Sequence, residues 1–284
     1  MELSSPNARI FCPAGGAPLE ALRATRQLGV VAHADDLEIA AIKGILDAYD
    51  APTPSFTGVV VCDGAGAARQ GGSPAAVNEV RREREREQER AAELGRYAAV
   101  VFLAHPSASV RSGEPAVGVD LTQVLAETSA DVVYTHSPLD AHDTHVAVVM
   151  ELLEVLRRLP LERRPARVVG CEVWRDLDWL PEPHRVALDV GAQRELQGEL
   201  LRAFSSQVGG KRYDLAALGR RQAHATFRHA DRPDETAGVV FGVDLAPLLV
   251  PEAPSVEQFV LDLIETFKLD AGARVRRLAQ ARQR

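Results

Sequence analysis

LGVVAHADDLEIAAIKGILDAY (Leu28–Tyr49) is the stretch whose reading decides the fold. Its first five residues form a short apolar run, as a buried strand does, and from Leu37 onward apolar positions recur at helical spacing. Between the two lies a polar turn, His33-Ala34-Asp35-Asp36. Working outward, FTGVVVC (Phe56–Cys62), AAVVFLA (Ala98–Ala104), DVVYT (Asp131–Thr135) and ARVVGCEV (Ala166–Val173) read as further buried strands. Helical patterns stand between them at Asn78–Leu94, Leu121–Thr128 and Val146–Leu159, with another near Pro18–Arg26. The alternation predicts an α/β fold: a Rossmann-like, mostly parallel sheet with helices on both faces. Past Trp174 the pattern loosens into a C-terminal helical and loop elaboration. It holds helices at Gln193–Ser205 and Leu215–Ala225, a late strand in Ala237–Leu245, and one or two helices over Val256–Arg284. With no internal repeat and no linker, residues 1–284 read as one domain, with a core of about 26–173 and a substrate-side part of about 174–284.

The 284 residues are 46% hydrophobic and 26% charged, enough for a sizeable core. A net charge of -7 offers no basic face for nucleic acid or an anionic membrane. No apolar run approaches the roughly 20 residues of a membrane span, and the first residues lack the regions of a signal peptide. Cys12, Cys62 and Cys171 are scattered and form no CxxC, which argues against a disulfide framework and a thiolate zinc site. The expectation is a cytoplasmic protein with a small-molecule partner. The oligomeric state stays open, a homo-oligomer included.

Two clusters carry chemistry. The first is the turn His33-Ala34-Asp35-Asp36-Leu37-Glu38, where one nitrogen ligand and two adjacent carboxylates sit at the carboxyl end of a strand. Ligands bind in that place in open α/β sheets. Adjacent turn residues point in different directions, so one Asp can hold a metal while the other faces the metal's water; either could instead cap the helix. The second is Tyr134-Thr135-His136-Ser137-Pro138-Leu139-Asp140-Ala141-His142-Asp143-Thr144-His145. Together they have the composition of a catalytic zinc site, two His and one carboxylate with an open position for water. Zinc brings the pKa of its water from 15.7 toward about 7. A carboxylate then serves as general base, and a His steadies the oxyanion or protonates the leaving amine.

AHADDLE resembles the AHPDDxE signature of the PIG-L/LmbE-like de-N-acetylases, Cys62–Gly64 resembles that family's TDG, and SPLDAHDTH its PxDxHPDH. The resemblance implies removal of an acetyl group from an N-acetylglucosamine-like compound with one Zn2+ per chain. It assigns the metal to His33, Asp36 and His145, the general base to Asp35 and the catalytic histidine to His142. Ala34 replaces a Pro of the signature. The Asp expected beside the final His is displaced by one, so any role in orienting His142 falls to Asp143, to Asp140 or to no residue. HDTH, GCEVWRDLDW (Gly170–Trp179) and GGKRYDLAALGRRQAHATF (Gly209–Phe227) resemble a branch found fused to glucosamine-6-phosphate deaminase-like domains.

Basic residues in two stretches, Arg175 in WRDLDW and Lys211-Arg212-Tyr213 after a glycine pair, are candidates for gripping an anionic or hydroxyl-rich end of the substrate. Asp140 is a further candidate, as are Arg81 and Arg84, although VRREREREQERAAELG reads first as a solvated helix laced with Glu–Arg pairs. Trp174 and Trp179 suit core or rim packing. His105 reads as a loop residue, and His184, His224 and His229 as structural or solvent-facing. Gly64-Ala65-Gly66-Ala67-Ala68-Arg69 suggests a nucleotide-binding turn but lacks the third glycine. A second class of function is a catalytically silent, metal-stabilised binding protein. Release of acetate from N-acetylated amino sugars separates the two.

Overall fold

In the computed structural model, residues 1–65, 73–228 and 231–283 are described. The strands are β1 (Arg9–Phe11), β2 (Gln27–Val31), β3 (Phe56–Cys62), β4 (Ala99–His105), β5 (Val132–His136), β6 (Arg167–Cys171), β7 (Val186–Asp189) and β8 (Val239–Asp244). The helices are α1 (Pro18–Arg23), α2 (Asp36–Ala40), α3 (Ile42–Tyr49), α4 (Pro74–Leu94), α5 (Ser107–Ser112), α6 (Pro115–Glu127), α7 (Asp143–Arg158), α8 (Arg194–Arg202), α9 (Ser205–Val208), α10 (Tyr213–Thr226) and α11 (Val256–Ala281).

One sheet holds all eight strands in the order β1-β4-β3-β2-β5-β6-β8-β7. The five central strands, β4 to β6, are parallel, while β1, β8 and β7 join antiparallel at the edges. Central parallel strands are covered on both faces, which is why they read as unbroken Val-rich runs. Within β3, Val59 and Val61 feed one core, with α1, α6 and α7. Phe56 and Val60 feed the other, with α2, α3, α4 and α8. From β2 the chain builds outward through β3 to β4, then returns to the other side of β2 with β5 and β6. The order therefore reverses between β2 and β5, and a crevice opens at their carboxyl ends.

Gly29 of β2 and Gly58 of β3 are register partners. A methyl group on either would overlap the Cδ atoms of Leu37, which fills the hollow that the two glycines leave. Leu37 is fully buried there, between Asp36 and Glu38 of the polar turn.

The structure corrects several expectations. The stretch from Leu37 to Tyr49 is two helices, broken at Ala41 (φ -101°, ψ 14°). The break falls beside the Glu38 carbonyl, which accepts a hydrogen bond from Arg221 (2.6 Å). β1 and β7, of three and four residues, are too short to carry a pattern. His105 ends β4 instead of lying in a loop. It is buried, and its Nε2 lies 2.9 Å from Asp120, which also accepts from Ser4. The charge run of α4 is not wholly solvated, because Glu87, Gln88, Ala91 and Ala92 are buried. Gly66–Arg69, the rest of the nucleotide-binding candidate, and His229 lie outside the described residues. No described helix is long and apolar enough to cross a membrane.

Candidate functional site

The turn that leaves β2 enters the crevice. Asp35 sits at φ 90°, ψ -25°, a region that a residue with a side chain enters only at a cost of about 1–3 kcal/mol. Neighbouring side chains fix it there. The Asp35 N–H donates to Gln88 Oε1 (3.3 Å), and Gln88 Nε2 donates to Glu38 Oε1 (2.7 Å), which also accepts from the Tyr97 hydroxyl (2.7 Å). Gln207 donates to the Ala34 carbonyl (3.1 Å). Glu87, next to Gln88, accepts from the Ser206 N–H (2.6 Å) and from the hydroxyls of Ser205 and Ser206. α4 thus braces the turn on one side and the start of α9 on the other. Burial pushes the Glu38 carboxyl up to about 7.

His33 Nδ1, Asp36 Oδ2 and His145 Nε2 form a triangle with sides of 3.2, 3.2 and 3.3 Å. Bonds of about 2.0–2.1 Å to a tetrahedral zinc imply ligand-to-ligand edges of about 3.3–3.4 Å, so the three donors fit a divalent cation. Asp36 is buried, accepts from the His33 N–H (2.8 Å), and is held well below the usual carboxylate range by the imidazoles of His145 and His136 despite burial. His145 is fully buried, with Nδ1 3.5 Å from Asp140 Oδ2. A carboxylate behind a ligating His commonly sets ring orientation. A second possible group, His136, Asp140 and His145, shares His145 with the first. There His136 Nε2 accepts the Ala32 N–H (2.9 Å), which ties up that lone pair and makes His136 a brace for β2.

Two groups face this triangle without joining it. Burial, then the neighbouring Asp36, raises the Asp35 carboxyl well above its ordinary value, and Arg84 draws it back. His142 caps α7; its Nδ1 accepts the Thr144 N–H (3.3 Å), leaving the ring proton of the neutral form on Nε2. Burial and the charge of His145 lower its pKa. Its ring stacks on His145 at 4.4 Å. No described carboxylate bonds to the His142 ring. Asp143 is exposed, and Asp140 instead accepts from the His142 N–H (3.0 Å) and the Trp174 N–H (3.1 Å).

The cavity above these groups measures about 660 Å³. Of the sequence candidates, His33, Asp35, Asp36, His142, Arg84, Lys211, Arg212 and Tyr213 line it. Asp140 lies behind His145, as above. Arg81 stands apart, against Glu85 (3.6 Å) and Asn78 (3.5 Å), and exposed Arg175 is not part of the lining. Arg212 is engaged by Asp214 through two hydrogen bonds (3.0 and 2.9 Å). Lys211 Nζ sits 4.6 Å from the Trp174 ring centre, and Tyr213 meets the same ring edge-on.

Sequence reasoning missed Arg111, Arg220, Ser107, Thr144 and Gln207 in the lining, and Gln88 beneath it. Arg111 Nη1 donates to Thr144 Oγ1 (3.1 Å). Arg220 pairs with Asp176 (2.7 Å). Only Gln88 had a signal, as the one amide in a run of Arg and Glu. Glu172, in the GCEVW stretch, is an anchor outside the lining. It accepts from the N–H groups of Leu177 and Phe241 (both 3.0 Å) and lies 3.0 Å from His224 Nδ1.

Residues 28–156 match the family model described as PIG-L, GlcNAc-PI de-N-acetylase. No curated protein matches the chain. Among solved structures, a conserved protein from Thermus thermophilus shares 18% identity at a TM-score of 0.59, over 81% of this chain and 100% of that one. The N,N'-diacetylchitobiose deacetylase of Pyrococcus horikoshii shares 17% at 0.58, over 76% and 83%. The 4-carboxy-2-hydroxymuconate hydratase of Pseudomonas putida shares 15% at 0.57, over 78% and 95%.

Proposed function

We propose, for a chain that belongs through residues 28–156 to the PIG-L family of hydrolytic de-N-acetylases, that it uses one Zn2+ to cleave the acetamide of an N-acetylglucosamine-like small molecule. The observation that carries this reading is the 3.2–3.3 Å triangle of His33, Asp36 and His145, set against Asp35 and His142 in one cavity. His33, Asp36 and His145 would hold the ion. When bound, zinc supplies Lewis-acid polarisation, an acidified water and a positive charge that favours ionised Asp35.

The chain's own groups do the rest. Asp35 takes the proton of the attacking water, and the strained turn aims its carboxylate. His142 donates from Nε2–H to the carbonyl oxygen as charge gathers there, and a proton passes to the departing amine. The products are acetate and a free amino sugar. Asp140 orients His145. Trp174 and Tyr213 offer faces for a sugar ring. Arg84, Arg111 and Lys211, which bond to no carboxylate among the described residues, suit an anionic or hydroxyl-rich end. Residues 1–284 act as one domain in this reading, supported by β7 and β8 joining the same sheet as the core. The three free cysteines favour a reducing compartment such as the cytoplasm.

The test is release of acetate and amine from a panel of N-acetylated amino sugars, phosphorylated and not, with zinc-loaded and zinc-stripped protein. No release from any member, with the metal bound, would favour the silent binding protein instead.

A further inference from the structure

Helix α11 has two unlike halves. The first lies on the body through Val256, Phe259, Val260 and Leu263, and Phe267 meets Trp179 edge-on at 5.5 Å. From Ala273 to Gln283 every residue is exposed. Of the six exposed large apolar residues of this helix, four follow a rule that Phe267 and Leu269 do not. Leu261, Ile264, Val275 and Leu278 are 50, 45, 68 and 53% exposed. With Lys268 and Ala271 between them, the steps are three, four, three, four and three residues, the a and d spacing of a helix-pairing seam. At 100° per residue this row is turned roughly 110° away from the face that carries Leu263, so docking on the body leaves it open. Leu269 lies off the row.

Charge selects the occupant. Val256–Thr266 holds three carboxylates (Glu257, Asp262, Glu265) and no cation, whereas Ala273–Arg282 holds four arginines (Arg274, Arg276, Arg277, Arg282) and no carboxylate. A copy of the same helix laid antiparallel sets acidic half against basic half at both ends. A parallel copy sets like against like. The ion pairs within the helix, Glu265 with Lys268 and Asp270 with Arg274, are exposed and worth little to the monomer. At the centre of the row an antiparallel partner brings its Ala271 beside Lys268, and the small side chain lets the ammonium reach water.

We infer that the Leu261–Leu278 row is a self-association surface, occupied by the same row of a second copy of this chain running antiparallel. The test uses the full chain, by sedimentation across a concentration series. The expected result is a dimer whose dissociation constant rises at least about 100-fold in Val275→Glu/Leu278→Glu, because two apolar side chains of each copy leave the seam, and rises with salt. Melting temperature, compared at a concentration below the wild-type dissociation constant, should hold, since both residues are exposed in the monomer. Orientation is read in a Cys12→Ser background: Leu261→Cys and Leu278→Cys chains should cross-link on mixing, and neither alone. A monomer at tens of micromolar overturns the inference, as does a dimer that the double variant leaves intact. Leu278→Cys cross-linking to itself overturns the antiparallel arrangement. Binding of the wild-type monomer to anionic vesicles would give the row to a membrane surface and overturn it too.

Discussion

The floor and the rim of the cavity are built differently. The floor consists of His33, Asp35, Asp36, His142 and His145, from two turns that leave adjacent strands; Asp36 and His145 are tied to each other and to buried neighbours, and Gln88 holds the Asp35 backbone N–H. The rim gathers Arg84 from α4, Arg111 from α5, Lys211 ahead of α10 and Trp174 after β6, with long side chains that reach toward water. A metal site tolerates errors of a few tenths of an ångström, so its donors must sit on short, braced segments. Recognition needs only convergence in space. The contrast sets out where substitutions should act on chemistry and where on binding.

The sharpest break comes from the ligands. His33→Ala and His145→Ala should each strip the metal and reduce hydrolysis to background, read by metal analysis beside acetate release. Metal retained in both would end the assignment. Asp35→Asn should keep the ion and lose rate by about 10²–10⁴-fold, and His142→Ala should behave alike, the scale of acid–base help. If Asp35→Asn empties the site, the two aspartates have exchanged roles.

The bracing of the floor is tested through Glu38. Its carboxyl titrates near 7 when folded and near 4.5 when unfolded. The group therefore favours the folded state most below pH 4.5, and that contribution fades as pH rises through 7, by up to about 3 kcal/mol. Glu38→Gln keeps an acceptor for Tyr97 and Gln88 and removes the titration. Denaturant melts of metal-free protein should show a flatter stability profile between pH 5 and 8 in this variant than in the wild type. Rim changes should be smaller and fall on binding. Arg111→Ala and Lys211→Ala should each raise KM about tenfold with metal content unchanged, as the removal of one charged hydrogen bond would. Arg175→Ala, outside the lining, should shift kcat/KM by less than about twofold. An Arg175 effect as large as that of Lys211 would erase the distinction.

The same contrast explains what the sequence could say. HADD brings His33 and Asp36 of the triangle within three residues of each other, and HDTH carries His142 and His145 on one turn, so each cluster shows as a motif. The five central strands were legible because burial on both faces demands runs such as VVV. Arg111 was not, since it reaches its place by tertiary packing and looks like any surface residue along the chain, and Gln88 stood out only as the one amide in its run. Lys211 and Tyr213 line the cavity, while Arg175 of WRDLDW does not. Basic character alone marks no direction. Edge strands of three and four residues leave too few positions for any period to register.

Leu37 gives the floor a mechanical property. Seated in the hollow of Gly29 and Gly58, it works as a depth stop: α2 can come no lower, and its burial keeps it from rising. Asp36 is its neighbour in the chain, so the height of the Asp36 carboxylate above the sheet is calibrated by two methyl groups that are not there. A methyl at position 58 would act as a shim under a lever, tilting the turn from beneath without touching a reacting atom. Displacements of about 1 Å at catalytic groups can cost 10²-fold in rate. The site is therefore gauged as much from under the sheet as from within the cavity.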